Sequence, residues 1–170
     1  MTIRFLPRHV VQTVYDFTAD TLTTLGWSGP DVPFGTAPVK FFSAPIRDNL
    51  EASRLEPNSV AIYSGIEQEL TPIELGGGLH SQVFPMFAEV YGENTGIAMS
   101  IASDIRDTWL GRNGSSVLNV KDYSLTPPAD VSGCYIDLGV SVERGPMENK
   151  YMFQVVGSYA ELVLLEGGYV

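Results

Sequence analysis

Gly76 to Gly92 reads GGGLHSQVFPMFAEVYG, and the fold turns on whether this stretch is a ligand-binding loop or the approach to a buried strand. A loop that cradles phosphate needs backbone N–H groups converging at a helix N-terminus, usually with a Lys and a hydroxyl to hold phosphate and metal. Here the glycines lead instead into Ser81 to Tyr91, rich in aromatic and branched residues, with no Lys and no helix opening at Leu79. The stretch reads as a flexible connection feeding a long strand. Phe84, Met86, Ala88 and Val90 fall on one face of that strand, and Pro85 inside it points to an edge or a bulge. His80 sits at the strand start with no motif partner, which favours a structural role over a catalytic one.

Upstream, Pro7 suits a first helical turn. From Arg8 to Leu25 the apolar residues recur with helical period: Val10, Val11, Val14, Tyr15, Phe17, Leu22 and Leu25 gather on one side. His9, Gln12, Asp16, Asp20 and Thr23 fall on the other, which places His9 on the wet face near Asp16 and Asp20. Gly26 is the expected stop. Residues 27–57 differ. Pro30, Pro33, Pro38, Pro45 and Pro57 interrupt them, and only Val39–Phe42 has strand character. So long an irregular stretch is uncommon inside a compact domain, yet Trp27, Phe34, Phe41, Phe42 and Ile46 give it more apolar surface than a solvated linker carries. The expectation is that it packs on its own domain or orders against a neighbour.

Ser59–Ser64 and Thr71–Leu75 are short strand candidates. Asn94-Thr95 offers an N-cap for a second helix over Gly96–Leu110. Ile97, Ala98, Ile101, Ala102, Ile105 and Trp109 form its buried stripe, and Asp104 and Asp107 lie away from it. Met99, Arg106 and Leu110 make a second patch on its back, which a monomer has no need to expose. Gly111 ends the helix and Asn113-Gly114 turns the chain. Val117–Leu125 reads as a strand, broken by Thr126-Pro127-Pro128. From Gly133 to Glu143 the alternation is clean: Cys134, Ile136, Leu138, Val140 and Val142 face one way, Tyr135, Asp137, Gly139, Ser141 and Glu143 the other. Cys134 is therefore a core residue; a reactive thiol needs an accessible, electropositive setting. Arg144–Asn149 reads as a hairpin loop. Tyr151–Leu165 returns as a strand apolar on both faces near Met152–Val156, as expected of a central strand or one covered by another subunit.

The order helix, strands, helix, strands lacks the βαβα alternation of a doubly wound sheet. It predicts one α+β domain over residues 1–170, a mainly antiparallel sheet with two packed helices and an extended proline-rich loop at residues 27–57. Trp27, Phe34, Phe41, Phe42, Met99, Arg106, Leu110 and Met152 are the candidate subunit-interface residues.

Composition narrows the function. The 170 residues, 44% hydrophobic and 18% charged, describe a globular domain. No apolar run is long enough to span a bilayer, and the N-terminal segment, interrupted by Arg8, His9, Gln12 and Asp16, lacks the continuous core of a signal peptide. Twenty acidic against ten basic residues give a formal charge of −10. That argues against tight wrapping of nucleic acid, which needs clustered Lys and Arg, while permitting a surface past which nucleic acid slides without sticking. One Cys excludes an intrachain disulfide, and one Cys with two distant His makes no zinc site. No G-x-S-x-G or His-centred nucleophile arrangement occurs, and the acidic residues of the two helices read as solvated faces rather than paired catalytic carboxylates. The expectation is a non-enzyme without cofactor or metal.

Three segments carry a family resemblance: Leu6-Pro7-Arg8-His9-Val10-Val11-Gln12 leading to Gly26-Trp27, then Phe87-Ala88-Glu89-Val90-Tyr91-Gly92, then Ile101-Ala102-Ser103-Asp104-Ile105-Arg106-Asp107-Thr108-Trp109-Leu110-Gly111-Arg112. In overall pattern they resemble the tail terminator proteins of long-tailed bacteriophages, in particular those infecting actinobacteria. The resemblance implies a hexameric ring that caps the growing tail tube, fixes its length and offers a surface for joining the head. The implied partners are further copies of the chain, the tail tube protein and a head-completion or neck protein. Genomic DNA would pass through the lumen without specific binding. The implied location is the virion neck, with assembly in the host cytoplasm. Closed cyclic symmetry with head-to-tail contacts makes such a ring. A neck connector or tail tube ring protein is the nearest alternative reading, and a small enzyme without a recognisable motif the distant one.

Overall fold

A computed structural model of the chain describes residues 6–29, 37–43, 58–65, 69–72, 80–112, 114, 117–143 and 152–164. The elements run α1 (Leu6–Thr24), β1 (Lys40–Phe42), β2 (Ser59–Ser64), β3 (Glu69–Pro72), β4 (His80–Tyr91), α2 (Thr95–Trp109), β5 (Val117–Asp122), β6 (Ala129–Glu143) and β7 (Met152–Leu164). The strands form a seven-stranded sheet in the order β1-β2-β4-β7-β6-β5, with β3 pairing beside β4. Every pairing is antiparallel except β1 with β2. The fold is the expected α+β domain.

Both helices end alike. Gly26 has φ 91° and Gly111 φ 72°, the left-handed conformation that glycine adopts without strain. Past each glycine the chain hydrogen-bonds back: Trp27 N to Leu22 O at 3.0 Å with Gly26 N to Thr23 O at 3.0 Å, and Arg112 N to Asp107 O at 2.9 Å with Gly111 N to Thr108 O at 3.1 Å. These are Schellman closures. In α1 the accompanying pairing is apolar: Trp27 and Leu22 are both buried in the core. In α2 it is ionic, with Arg112 folding back on Asp107 at 3.4 Å. Asn94 caps the start of α2, its Oδ1 accepting from Ile97 N at 3.0 Å, as the sequence predicts.

The core lies where the helices cover one sheet face. Phe84, Met86, Ala88 and Val90 of β4, Val60 and Ile62 of β2, and Ile136 of β6 are fully buried against Val10, Val14 and Leu22 of α1 and Ile101, Ile105 and Trp109 of α2. Each large side chain so buried contributes about 1.5–3 kcal/mol. β7, whose sequence is apolar on both faces, lies at the centre of the sheet between β4 and β6.

Pro85 stands in an interior strand, and the sheet accommodates it at a gap. β2 pairs with β4 as far as Met86, and β3 takes over at Val83. Pro85 O accepts from Gly65 N on that side at 2.8 Å, and in an antiparallel strand a residue's N–H and C=O point the same way. The missing donor therefore falls where the chain passes from β2 to β3. The bulge expected here is also present, between Met86 and Ala88.

Strand ends differ from the sequence reading for local reasons. β3 begins at Glu69, earlier than Thr71, and residues 73–75 lie outside the described residues. β5 stops at Asp122 because its carboxylate accepts from Ser124 N at 2.8 Å and Ser124 Oγ at 2.6 Å, a side-chain turn that competes with the ladder. β6 starts at Ala129, ahead of Gly133, since Ala129 pairs back to Asp122. The hairpin loop expected at Arg144–Asn149 lies outside the described residues.

His9 is a correction. It is not on a wet face: only 7% of the residue is exposed. Its ring lies 6.1 Å from that of Tyr123 and its Nδ1 4.0 Å from Asp122 Oδ1. The helical wheel could not show that the turn after β5 covers this side of α1.

Candidate functional site

The eight candidate interface residues separate into distinct groups. Trp27 is not available to a partner, since 2% of it is exposed and its Nε1 donates to Asp104 Oδ2 at 2.6 Å. The wheel places Asp104 off the apolar stripe, and this bond shows what it does there: it anchors the segment after α1 onto α2. Phe41 packs against the same core, and Val39, 5% exposed, is held by its N–H to Trp27 O at 2.7 Å. The described beginning of the proline-rich region thus packs at home. Phe42 is half-buried, with Lys40 Nζ 5.7 Å from its ring centroid. Phe34 lies outside the described residues, and Met152 is fixed only by register, opposite Tyr91 at the start of β7.

Met99, Arg106 and Leu110 remain on the back of α2. Met99 is 41% and Leu110 43% exposed. Between them Asp107 Oδ1 takes Arg106 Nε at 2.9 Å, and the Arg106 and Arg112 guanidinium groups at 2.9 and 3.4 Å. Two guanidinium groups share one carboxylate, so this ridge is locally positive on a chain of formal charge −10.

A groove of about 490 Å³ runs between α1 and β5. Thr13, Asp16, Phe17, Asp20, Thr21 and Thr24 form one wall; Val117, Leu118, Asn119 and Lys121, with Tyr123 and Asp130, form the other. Successive residues 117–119 line the same space although a strand's side chains alternate, so it is the edge of β5, not one face, that borders the groove. At one end this edge is closed: Lys121 N donates to Thr13 Oγ1 at 3.2 Å. Asp16 accepts from Gln12 Nε2 at 2.8 Å and from Tyr123 Oη at 2.7 Å. Burial first, then the bond to Asp16 and the charge of Asp16, hold the Tyr123 phenol well above its ordinary value. Asp130 Oδ2 accepts from Asn119 at 3.1 Å. Asp20 is exposed on the rim. The groove therefore presents three carboxylates and one ammonium above an apolar floor.

On the sheet face away from the helices, Tyr63 and Phe87 stack at 5.5 Å, and Tyr63 Oη donates to the buried Glu89 Oε1 at 2.6 Å. No local pattern signals this pairing, because Tyr63 and Glu89 meet only through the β2–β4 register.

Cys134 is 4% exposed, and burial pushes its thiol up. His80 opens β4, paired to Pro72 and Leu164. Among the described residues, no group of three or more His, Cys, Asp or Glu converges to hold a metal ion, and no helix is long and apolar enough to cross a membrane. No protein-family model matches the chain, and no curated protein matches it.

Proposed function

We propose that this chain is a structural protein of the long-tailed phage tail, a terminator whose copies form a ring on the end of the tail tube, fix its length and present a surface for head joining. The observation that carries the reading is the exposed Met99 and Leu110 on the back of α2, whose opposite side is already fully engaged in the core. Single exposed apolar residues are ordinary, but a Met–Arg–Leu ridge on a rigid helix is the material of a subunit contact. The family resemblance adds its weight: its segments coincide with α1, the end of β4 and α2. The negative charge suits a channel that passes DNA without holding it.

The test is particle assembly without this protein. Tubes of uncontrolled length that fail to join filled heads, corrected by adding the purified chain, are the expected result in electron micrographs. Tails of normal length with head joining alone lost would assign the chain to the neck connector instead. Normal tails joined to heads would end the assembly reading.

A further inference from the structure

We infer that the groove between α1 and β5 is the receptor for the α2 ridge of a second copy, so that the contact between copies is head-to-tail. This inference rests on the ring reading and specifies its interface.

Charge and shape carry it. The groove is concave and acidic: Asp16, Asp20 and Asp130 against Lys121, over Phe17 and Leu118. The ridge is convex and basic: Arg106 and Arg112 against Asp107, flanked by exposed Met99 and Leu110. On a chain of formal charge −10, two copies placed at random repel. A contact that seats a net-positive ridge in a net-negative groove turns that repulsion into a selection of one orientation. The size also fits. About 490 Å³ accepts a few side chains but not a whole helix, as expected if Met99, Arg106 and Leu110 enter while the backbone of α2 stays outside. The Arg112 side chain is 66% exposed even while it shares Asp107 with Arg106, and Asp20 is exposed on the groove rim, so both charges reach the surface. Ridge and groove are different surfaces of one subunit, and such a heterologous contact closes into a ring where the rotation permits.

Two charge-reversed full-length variants test this. The groove variant carries Asp20→Lys and Asp130→Lys; the ridge variant carries Arg106→Glu and Arg112→Glu. Sedimentation velocity reads their self-association beside the unchanged chain. Each variant alone meets like charge with like charge and should associate at least about tenfold more weakly than the unchanged chain. Their equimolar mixture restores opposite charges at every contact and should assemble again, which also shows that both are folded. Oligomers of the unchanged chain that both variants form equally well would overturn this contact and leave the ring reading standing. A groove variant that still oligomerises but no longer attaches to tail tubes would overturn it too, by giving the groove to the tube protein. An unchanged chain that neither self-associates nor attaches to tube ends would remove this contact together with the ring.

Discussion

Trp109 Nε1 donates to Thr18 Oγ1 at 2.8 Å, a buried bond between the two helices. Thr18 hands its own proton to Val14 O at 2.8 Å, so one hydroxyl joins α1 to α2 while satisfying its own helix. Thr13 repeats the device, donating to His9 O at 2.7 Å and accepting from Lys121 N at 3.2 Å. Thr18→Val keeps the shape and removes the acceptor, leaving a buried indole N–H unpaired at a cost of about 1–3 kcal/mol. Thr18→Ser keeps the hydroxyl and should cost less, about 0.8 kcal/mol for the lost methyl. Urea unfolding of the two variants beside the unchanged chain gives the order; a Thr18→Val midpoint equal to that of the unchanged chain would mean the indole bond contributes nothing.

Gly92 joins β4 to α2 where the two elements touch. A Cβ there would lie 2.5 Å from Ala98 N and 2.7 Å from Ala98 Cα. Those are backbone atoms of a fully buried residue, so no side-chain rotation relieves the clash. Gly92→Ala should destabilise by at least about 1–3 kcal/mol. Gly29, with nothing within 4 Å of the same position, is the control: Gly29→Ala should stay within about 0.5 kcal/mol. Thermal unfolding of both variants measures the contrast.

The Tyr123 phenol fixes the sign of an alkaline effect. Its ionisation is raised in the folded chain from an ordinary value of 10.0. The stability that follows is fully present below pH 10.0 and is lost as the pH climbs from there toward the folded value. Tyr123→Phe should lower the melting temperature at neutral pH, by deleting the bond to Asp16, and should flatten the decline on the alkaline side. Melting curves between neutral pH and pH 11 or so test it; parallel curves for the two proteins would contradict the assignment.

Cys134 should behave as an apolar residue. Cys134→Ser places a hydroxyl in the core and should cost about 1–3 kcal/mol. The native thiol should react with an alkylating reagent only on unfolding, since burial keeps it protonated as well as covered. Rapid labelling of the folded protein would disprove this.

Periodicity made most of the fold legible. The buried face of β4, the alternation around Cys134 and the cap of α2 all announce themselves through neighbours a few residues apart, where local physics dominates. What escaped were contacts between distant segments. His9 is buried by a turn far along the chain, Trp27 is held by Asp104, and Tyr63 finds Glu89 across a register. Part of the candidate site was legible in the same way: Met99 and Leu110 follow from a helical wheel. The groove opposite did not, because its walls are a helix and a strand edge almost a hundred residues apart.

The parallel pairing of β1 with β2 sets a lower limit on the length of the proline-rich region. Neighbouring parallel strands cannot be joined by a tight turn; the chain must travel back along the sheet, which takes about a dozen residues or more. Residues 43–58 join the two strands. Their far end is fastened at Asn58, whose Nδ2 donates to Ala37 O at 2.7 Å and whose Oδ1 accepts from Glu93 N at 2.7 Å. Editing this part of the gene is therefore asymmetric. Insertions are tolerated, because doubling a closed loop costs only about 0.6 kcal/mol. Trimming it as dispensable detaches β1, and with it the backbone bond from Val39 that holds Trp27.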